Sequence, residues 1–378
     1  MNFSEPTFTF GIEEEYLLID LSTRDLAIDP RPEMMEACHS ALGNSVGPEF
    51  LRSQIEVATG VCHDPGEARA QLADLRGTVE RVVGRFDCAL IAASTHPFGR
   101  WQDQKHTAAA RYSQIAEDLR LVAQRLLTCG MHVHVAIEDP ELRIDLMNQA
   151  VYFLPHLLAL STSSPFWDGA DSGLMSYRLS VLDELPRSGL PDPFQSAGEY
   201  DRTVASLVSA GLIEDATKLW WDIRPSVRFP TLEMRITDVC TRLEDALCLA
   251  ALFRCLCRLL YRLRRNNQSW RIHSRLLVNE NRWRAQRYGS DRGLVDFGIG
   301  EVVPYQKLLA ELLDLIDEDA AHFGCAAEVE RARGILADGT SAHRQLAIWR
   351  EAQAAGADSA AALRTVVDWL AEETVAGT

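Results

Sequence analysis

Lysine is almost missing from this chain. Only Lys105, Lys218 and Lys307 are present, so nearly every cation is an arginine, a bias that genome base composition explains better than phosphate recognition. No basic block stands out against a formal net charge of -16, and without one a nucleic-acid backbone would go unneutralised. The arginines of "YRLRRNNQSWR" read as a helix end. No apolar run approaches the length of a membrane span, and "MNFSEPTFTF" lacks the basic region and apolar run of a secretory signal. The nine cysteines are scattered, odd in number and include no CxxC pair. Together these absences predict a reduced, cytoplasmic protein with neither nucleic acid nor membrane as partner. Neither GxxxxGK[ST] nor a strand-turn-helix GxGxxG occurs, which argues against a P-loop ATPase and a dinucleotide-binding Rossmann enzyme.

What is present is an ordinary globular composition, 47% hydrophobic and 24% charged over 378 residues. No repeat or low-complexity linker divides it, so one catalytic domain is expected over 1–378, with mixed sheet and helix in 1–242 and a helical part in 243–378 packed on it. Apolar periodicity predicts a long helix over "LEDALCLAALFRCLCRLLYRLRR", ending in arginines as the helix dipole favours, and further helices at 269–287, 304–322, 325–337, 341–355 and 359–373. The Pro/Gly-rich "DELPRSGLPDPF" is the clearest long loop, and a candidate cover for a site.

Five segments of the first two thirds read as strands with one apolar and one polar face. In "FTFGIEEEYLLID" Phe8, Phe10, Ile12, Tyr16 and Leu18 share a face, while Glu13 and Glu15 share the other, roughly 6 to 7 Å apart at the rise of a strand. Glu14 is left among the apolar side chains, where an ionised carboxylate needs a partner that the sequence does not name. "GMHVHVAIED" sets His132, His134 and Glu138 together; "PTLEMRITDV" sets Glu233 with Arg235; "LMSYRLSV" sets Arg178 with Ser176 and Ser180; "FLRSQIEVATG" sets Arg52, Gln54 and Glu56 together. An antiparallel sheet that packs one side on helices and holds a site on the other produces this pattern.

Carboxylates gathered from several strands form the hard-oxygen environment that magnesium prefers, and arginines among them can clamp phosphate or carboxylate. Each motif also has a plainer reading. The acids of the first strand fit a solvated edge, Glu233 and Arg235 fit a cross-strand ion-pair ladder, and His132 with His134 fits a hydrogen-bonded or zinc-binding pair.

Nine pieces, "FGIEEEYLLID", "PEFLRSQIEVATG", "ASTHPFG", "RY" at 111–112, "GMHVHVAIED", "SSPFWDG" with "SYRLS", "WWDIRPS", "TLEMRITDVC" and "NRWRAQRYG", resemble the bacterial carboxylate-amine ligases of the glutamate-cysteine ligase type 2 group. They run in family order from residue 8 to about 289. The resemblance implies an α+β, glutamine-synthetase-like fold, a curved and mainly antiparallel sheet backed by helices. It implies ATP and magnesium, with manganese as a substitute, small amino acids or amines as partners, and a homodimer. By resemblance, Glu13, Glu15, Glu56, His132 and Glu233 would be metal and phosphate ligands, Arg178, Arg224 and Arg235 would face ATP phosphates or the transferred phosphoryl group, and Arg111 would meet the substrate carboxylate. Glu49 joins the ligands only if the chain bends between it and Glu56, since an odd separation sets them on opposite faces of a regular strand. Arg52 stands where distant relatives often place an acid. The implied reaction joins glutamate to cysteine through an acyl phosphate; a zinc hydrolase using His132 and His134, and a non-catalytic nucleotide-binding relative, are the alternatives.

Overall fold

The computed structural model describes residues 4–378 apart from 109–111, 113, 115, 116 and 118. Among the described residues, seven strands form one sheet: β1 (Phe10–Asp20), β2 (Val46–Pro48), β3 (Gln54–Ala58), β4 (Cys88–Ile91), β5 (Met131–Ala136), β6 (Ile223–Pro225) and β7 (Thr231–Met234). Their order is β6-β7-β5-β1-β3-β2, and every pairing is antiparallel. The long β1 joins the sheet together. One of its edges meets β5 through residues 10–14 and β4 through residues 17–20, while its other edge meets β3.

One face of this sheet is apolar and lies on helices. A continuous buried cluster runs from Phe8 to Leu370 and includes most of the 23-residue helix Leu243–Arg265, which packs on β5. That helix starts with Glu244 and Asp245 and ends with Arg262, Arg264 and Arg265, the charge order its dipole favours. The predicted helices of the last third form as Tyr305–Phe323, Ala326–Asp338, Ser341–Ala354 and Ser359–Thr374. No helix of the described residues is long and apolar enough to cross a membrane.

Glu14 finds its partner on the helix Pro65–Val83. Arg76 donates from Nε to Glu14 Oε2 at 2.9 Å and from Nη2 to Oε1 at 2.6 Å, with both side chains fully buried. The Tyr16 hydroxyl also donates to Glu14. The remaining Arg76 donors reach the carbonyls of Cys240, Thr241 and Thr374, so the buried guanidinium is fully satisfied.

Four local expectations are corrected. The segment around Arg178 is a short helix, Tyr177–Leu182, because Ser164 supplies partners for its first turn: Tyr177 N donates to Ser164 O at 2.9 Å and Arg178 N to Ser164 Oγ at 3.2 Å. Residues 51–53 turn instead of extending, so Arg52 leaves the polar face and donates to Asp29 at 2.6 Å and to the His106 carbonyl. The helix expected from 269 begins at Arg275, since Trp270 N is drawn to Gln149 Oε1 at 2.6 Å and its ring to Phe153, 4.8 Å between centroids. A hairpin, Leu294–Asp296 with Glu301–Val303, interrupts the helical last third.

Candidate functional site

The polar face of the sheet floors a cleft of about 290 Å³, and the pairing register decides what meets there. Glu13 pairs with His132 and Glu15 with Glu56, so the side chains opposite one another share the face. A second row runs Arg224, Glu233, His134 across β6, β7 and β5. Glu49 follows the last residue of β2, and the turn at 49–53 reverses the chain so that both it and Glu56 line the cleft. The seven-residue spacing is thus accommodated by a hairpin.

Three overlapping groups of donor atoms result, each with its atoms within 4.8 Å of one another: Glu13, His134 and Glu233; Glu13, Glu56 and His132; Glu15, Glu49 and Glu56. All six acids and imidazoles singled out as ligands in the sequence fall in one of them. His134 is the addition; the sequence set it only in the histidine pair, and its cross-strand position opposite Glu233 is what brings it in. The two histidines enter different groups. Gln54, Thr128, Trp220, Trp221 and Phe229 also line the cleft, whereas Glu138 points away and binds Thr7. Arg111 lies outside the described residues. Its neighbour Tyr112 lines the cleft and donates to the Pro48 carbonyl at 2.9 Å.

The electrostatics differ along the floor. Burial works against ionisation of Glu13, but a hydrogen bond from His132 at 3.2 Å and the nearby His134 imidazole hold its carboxyl well below the usual range. Burial likewise opposes Glu233, and the charges of Arg235 and Arg224 overcome it. Arg224 grips Glu233 through Nε at 3.0 Å and Nη2 at 3.2 Å, and spends Nη1 on the carbonyls of Thr217 and Leu219. Arg235 donates to the same carboxylate. Towards β3 the balance reverses. Burial and then the Glu49 charge push Glu15 up to about 7, and burial with Glu49, Glu13 and Glu15 pushes Glu56 well up. His132 is lowered to about 4 by burial and Arg235, leaving a neutral imidazole.

A cation among these groups fits what is seen. The His134 Nε2 atom is buried, stands 3.4 Å from Glu13 Oε1 and makes no hydrogen bond, while its Nδ1 is fixed by Thr231 Oγ1 at 2.9 Å. The carboxylates of Glu15, Glu49 and Glu56 crowd together, the oxygen-rich setting of a hard divalent ion. Arg178 sits at the edge of the cleft, buried, and its guanidinium donates to the main-chain carbonyls of residues 235 and 236.

Residues 9–362 match the model of glutamate-cysteine ligase family 2. A Rhodospirillum rubrum protein provisionally named glutamate-cysteine ligase 2 is 62% identical over 376 residues, covering 98% of this chain and 97% of that protein. Its counterpart in a Jannaschia species is 55% identical, with 98% of each chain covered. Among solved structures, the glutamate-cysteine ligase of Francisella tularensis in complex with AMP superposes with a TM-score of 0.68 at 13% identity, covering 100% of this chain and 90% of that one. A bifunctional glutathione synthetase of Pasteurella multocida gives 0.69 at 14% identity, covering 97% of this chain and 52% of that one. These likenesses identify the sheet and its helices as the glutamine-synthetase-like fold, and the match along almost the whole sequence places the chain in glutamate-cysteine ligase family 2.

Proposed function

We propose that the cleft joins a carboxylic acid to an amine at the expense of ATP, with glutamate and cysteine as the first pair to test. The observation that carries this reading is the three overlapping donor groups on one sheet face, bordered by Arg178, Arg224 and Arg235. Glu13, Glu15, Glu49, Glu56, His132, His134 and Glu233 would hold magnesium or manganese, whose bound charge would offset that building on the phosphate oxygens. An oxygen of the acid forms a bond to the γ-phosphorus as the β-γ bridging bond breaks and ADP leaves. The amine nitrogen then bonds to the acyl carbon, phosphate departs and the nitrogen gives up a proton.

The chain's own residues have separable parts in this. Arg178 presents a cation that, among the described residues, is held by main-chain carbonyls and forms no ion pair, suited to the transferred phosphoryl group or to the substrate carboxylate. Arg235, shared with Glu233, would stand on the phosphates beside it; Arg224 would border the same nucleotide while fixing the orientation of Glu233. Arg111 keeps the role of a carboxylate receptor. The segment 183–194 would shelter the acyl phosphate from water, with Leu185 already on the cleft wall. Nine unpaired, buried cysteines suit a reducing cytoplasm, and residues 1–378 would work as one catalytic unit.

The test is phosphate release from ATP with magnesium across a panel of acids and amines. Release that needs both glutamate and cysteine, with γ-glutamylcysteine detected by mass, supports the full reading; release with another pair keeps the reaction class and changes the substrate. Glu13→Gln is expected to abolish release with the fold intact, and unchanged ATP consumption in that variant would sink the assignment.

A further inference from the structure

Arg178 is held in a way that its role alone does not require. Its guanidinium lies on Gly130: a Cβ built there would stand 2.4 Å from Nη2, 3.0 Å from Cζ and 3.1 Å from Nε. The three nearest atoms all belong to Arg178, so the missing side chain at 130 makes room for that one group. Opposite Gly130, in an isolated antiparallel bridge, is Asp238.

Asp238 fastens the other end of Arg178. Fully buried, it accepts from Ser163 N, from Ser164 Oγ and from Ser176 Oγ, each at 2.8 Å. Ser164 Oγ in turn accepts from Arg178 N, and Ser164 O from Tyr177 N, so the helix bearing Arg178 hangs from serines that Asp238 anchors. The tip of the side chain is fixed separately, Nη1 to Ile236 O at 3.2 Å and Nη2 to Arg235 O at 3.0 Å. Gly130 also reaches the acidic floor, since its N–H donates to Glu15 Oε2 at 2.6 Å and its carbonyl accepts from Glu15 N at 3.1 Å.

We propose that Gly130 and Asp238 are positioning residues that together form a rigid seat for the Arg178 guanidinium, fixing its distance from Glu15. This rests on the ligase reading for its catalytic consequence, and on geometry alone for the seat. A guanidinium held by main-chain carbonyls and a glycine surface needs no reorganisation when an anion arrives. Arginine is demanded over lysine because two carbonyls at fixed positions take two nitrogens of a planar fork.

The seat separates from the backbone fold at Gly130. The built Cβ meets the far end of a flexible side chain, which can move away without disturbing the backbone. Gly130→Ala is therefore expected to keep its backbone fold, with a melting temperature lowered by the lost carbonyl contacts, and to lose about a hundredfold in kcat, as misplacing a catalytic group by an ångström does, with little change in KM for ATP. In Arg178→Ala, added guanidinium chloride at low millimolar concentration should restore part of the rate; in the Gly130→Ala/Arg178→Ala double variant it should restore none, because the methyl group occupies the seat. Asp238→Asn should lower kcat without adding to the loss in Arg178→Ala. A parent-like kcat in Gly130→Ala, or equal rescue in the single and double variants, overturns the proposal.

The seat is also read without turnover. In protein labelled with 15N-arginine, the Arg178 Nη resonances, assigned by their loss in Arg178→Lys, should be separate in the parent and averaged in Gly130→Ala. Separate resonances in both overturn the seat. A parent protein that consumes no ATP with any acid and amine removes the ligase reading, and the resonances still decide the seat.

Discussion

Three adjacent glutamates meet three different fates. Strand alternation makes the inward turn of Glu14 legible in the sequence, but its partner Arg76 is brought in by a helix 62 residues on, and no local pattern names it. Glu13 and Glu15 share a face as their spacing requires, yet one is held ionised by two imidazoles while the other is driven towards its neutral form. That contrast gives a pH dependence. Glu15 binds its proton more tightly folded, at about 7, than at its ordinary value of 4.5, so the unfolded chain ionises first and the contribution of Glu15 to stability falls as pH rises between those values. A divalent cation favours the ionised form and reverses the loss. Melting temperatures at pH 5 and pH 8 should accordingly show a larger gain from magnesium at pH 8, and Glu15→Gln should reduce that difference. An equal gain at both pH values in the parent would count against a cation at Glu15.

Elements were legible where their signals are local. The helix expected at 359–373 forms as Ser359–Thr374, its start marked by Asp358 Oδ1 accepting from Ala361 N at 2.7 Å. The helix Pro65–Val83, which was not read from the sequence, starts with Asp64 Oδ1 accepting from Glu67 N at 3.0 Å and Pro65 in the first turn. Asp64→Ala should cost about 1 kcal/mol in urea unfolding and leave the cleft's chemistry intact, because the cap lies far along the helix from Arg76. The six residues Tyr177–Leu182 misled for the opposite reason. Their alternation is too short to separate a strand from a helix, and the groups that satisfy the first turn come from Ser164, an element away. Arg52 was misplaced because a turn at 51–53 breaks the alternation that Gln54 and Glu56 resume. The same turn brings Glu49 back over the sheet, the bend on which its place among the ligands depended.

For the whole molecule, the division into an acidic sheet face and an apolar one is visible in the sequence, whereas the joining of distant segments is not. Arg76 shows what that joining involves: it links β1, its own helix, the segment at 240–241 and the last helix through one guanidinium. Arg76→Leu strands the Glu14 charge and three carbonyl partners in a dry interior. It should lower unfolding stability by about 3 to 5 kcal/mol, measured by urea titration of tryptophan fluorescence. A loss below 1 kcal/mol would mean that water reaches the site. The nearest acids of the cleft lie on either side of Glu14 in the chain, so the same titration followed by magnesium affinity would report whether loosening the inner face disturbs the outer one.

The link from Glu14 through Arg76 to the Thr374 carbonyl spans almost the entire chain. Synthesis therefore makes the acidic strand first and its last buried contact only hundreds of residues later, so a growing chain holds a charged pair with an unfinished enclosure. Loops of that size close slowly, and interrupted translation or proteolytic clipping ahead of Thr374 yields a chain that quality-control proteases can recognise by the open side of its sheet.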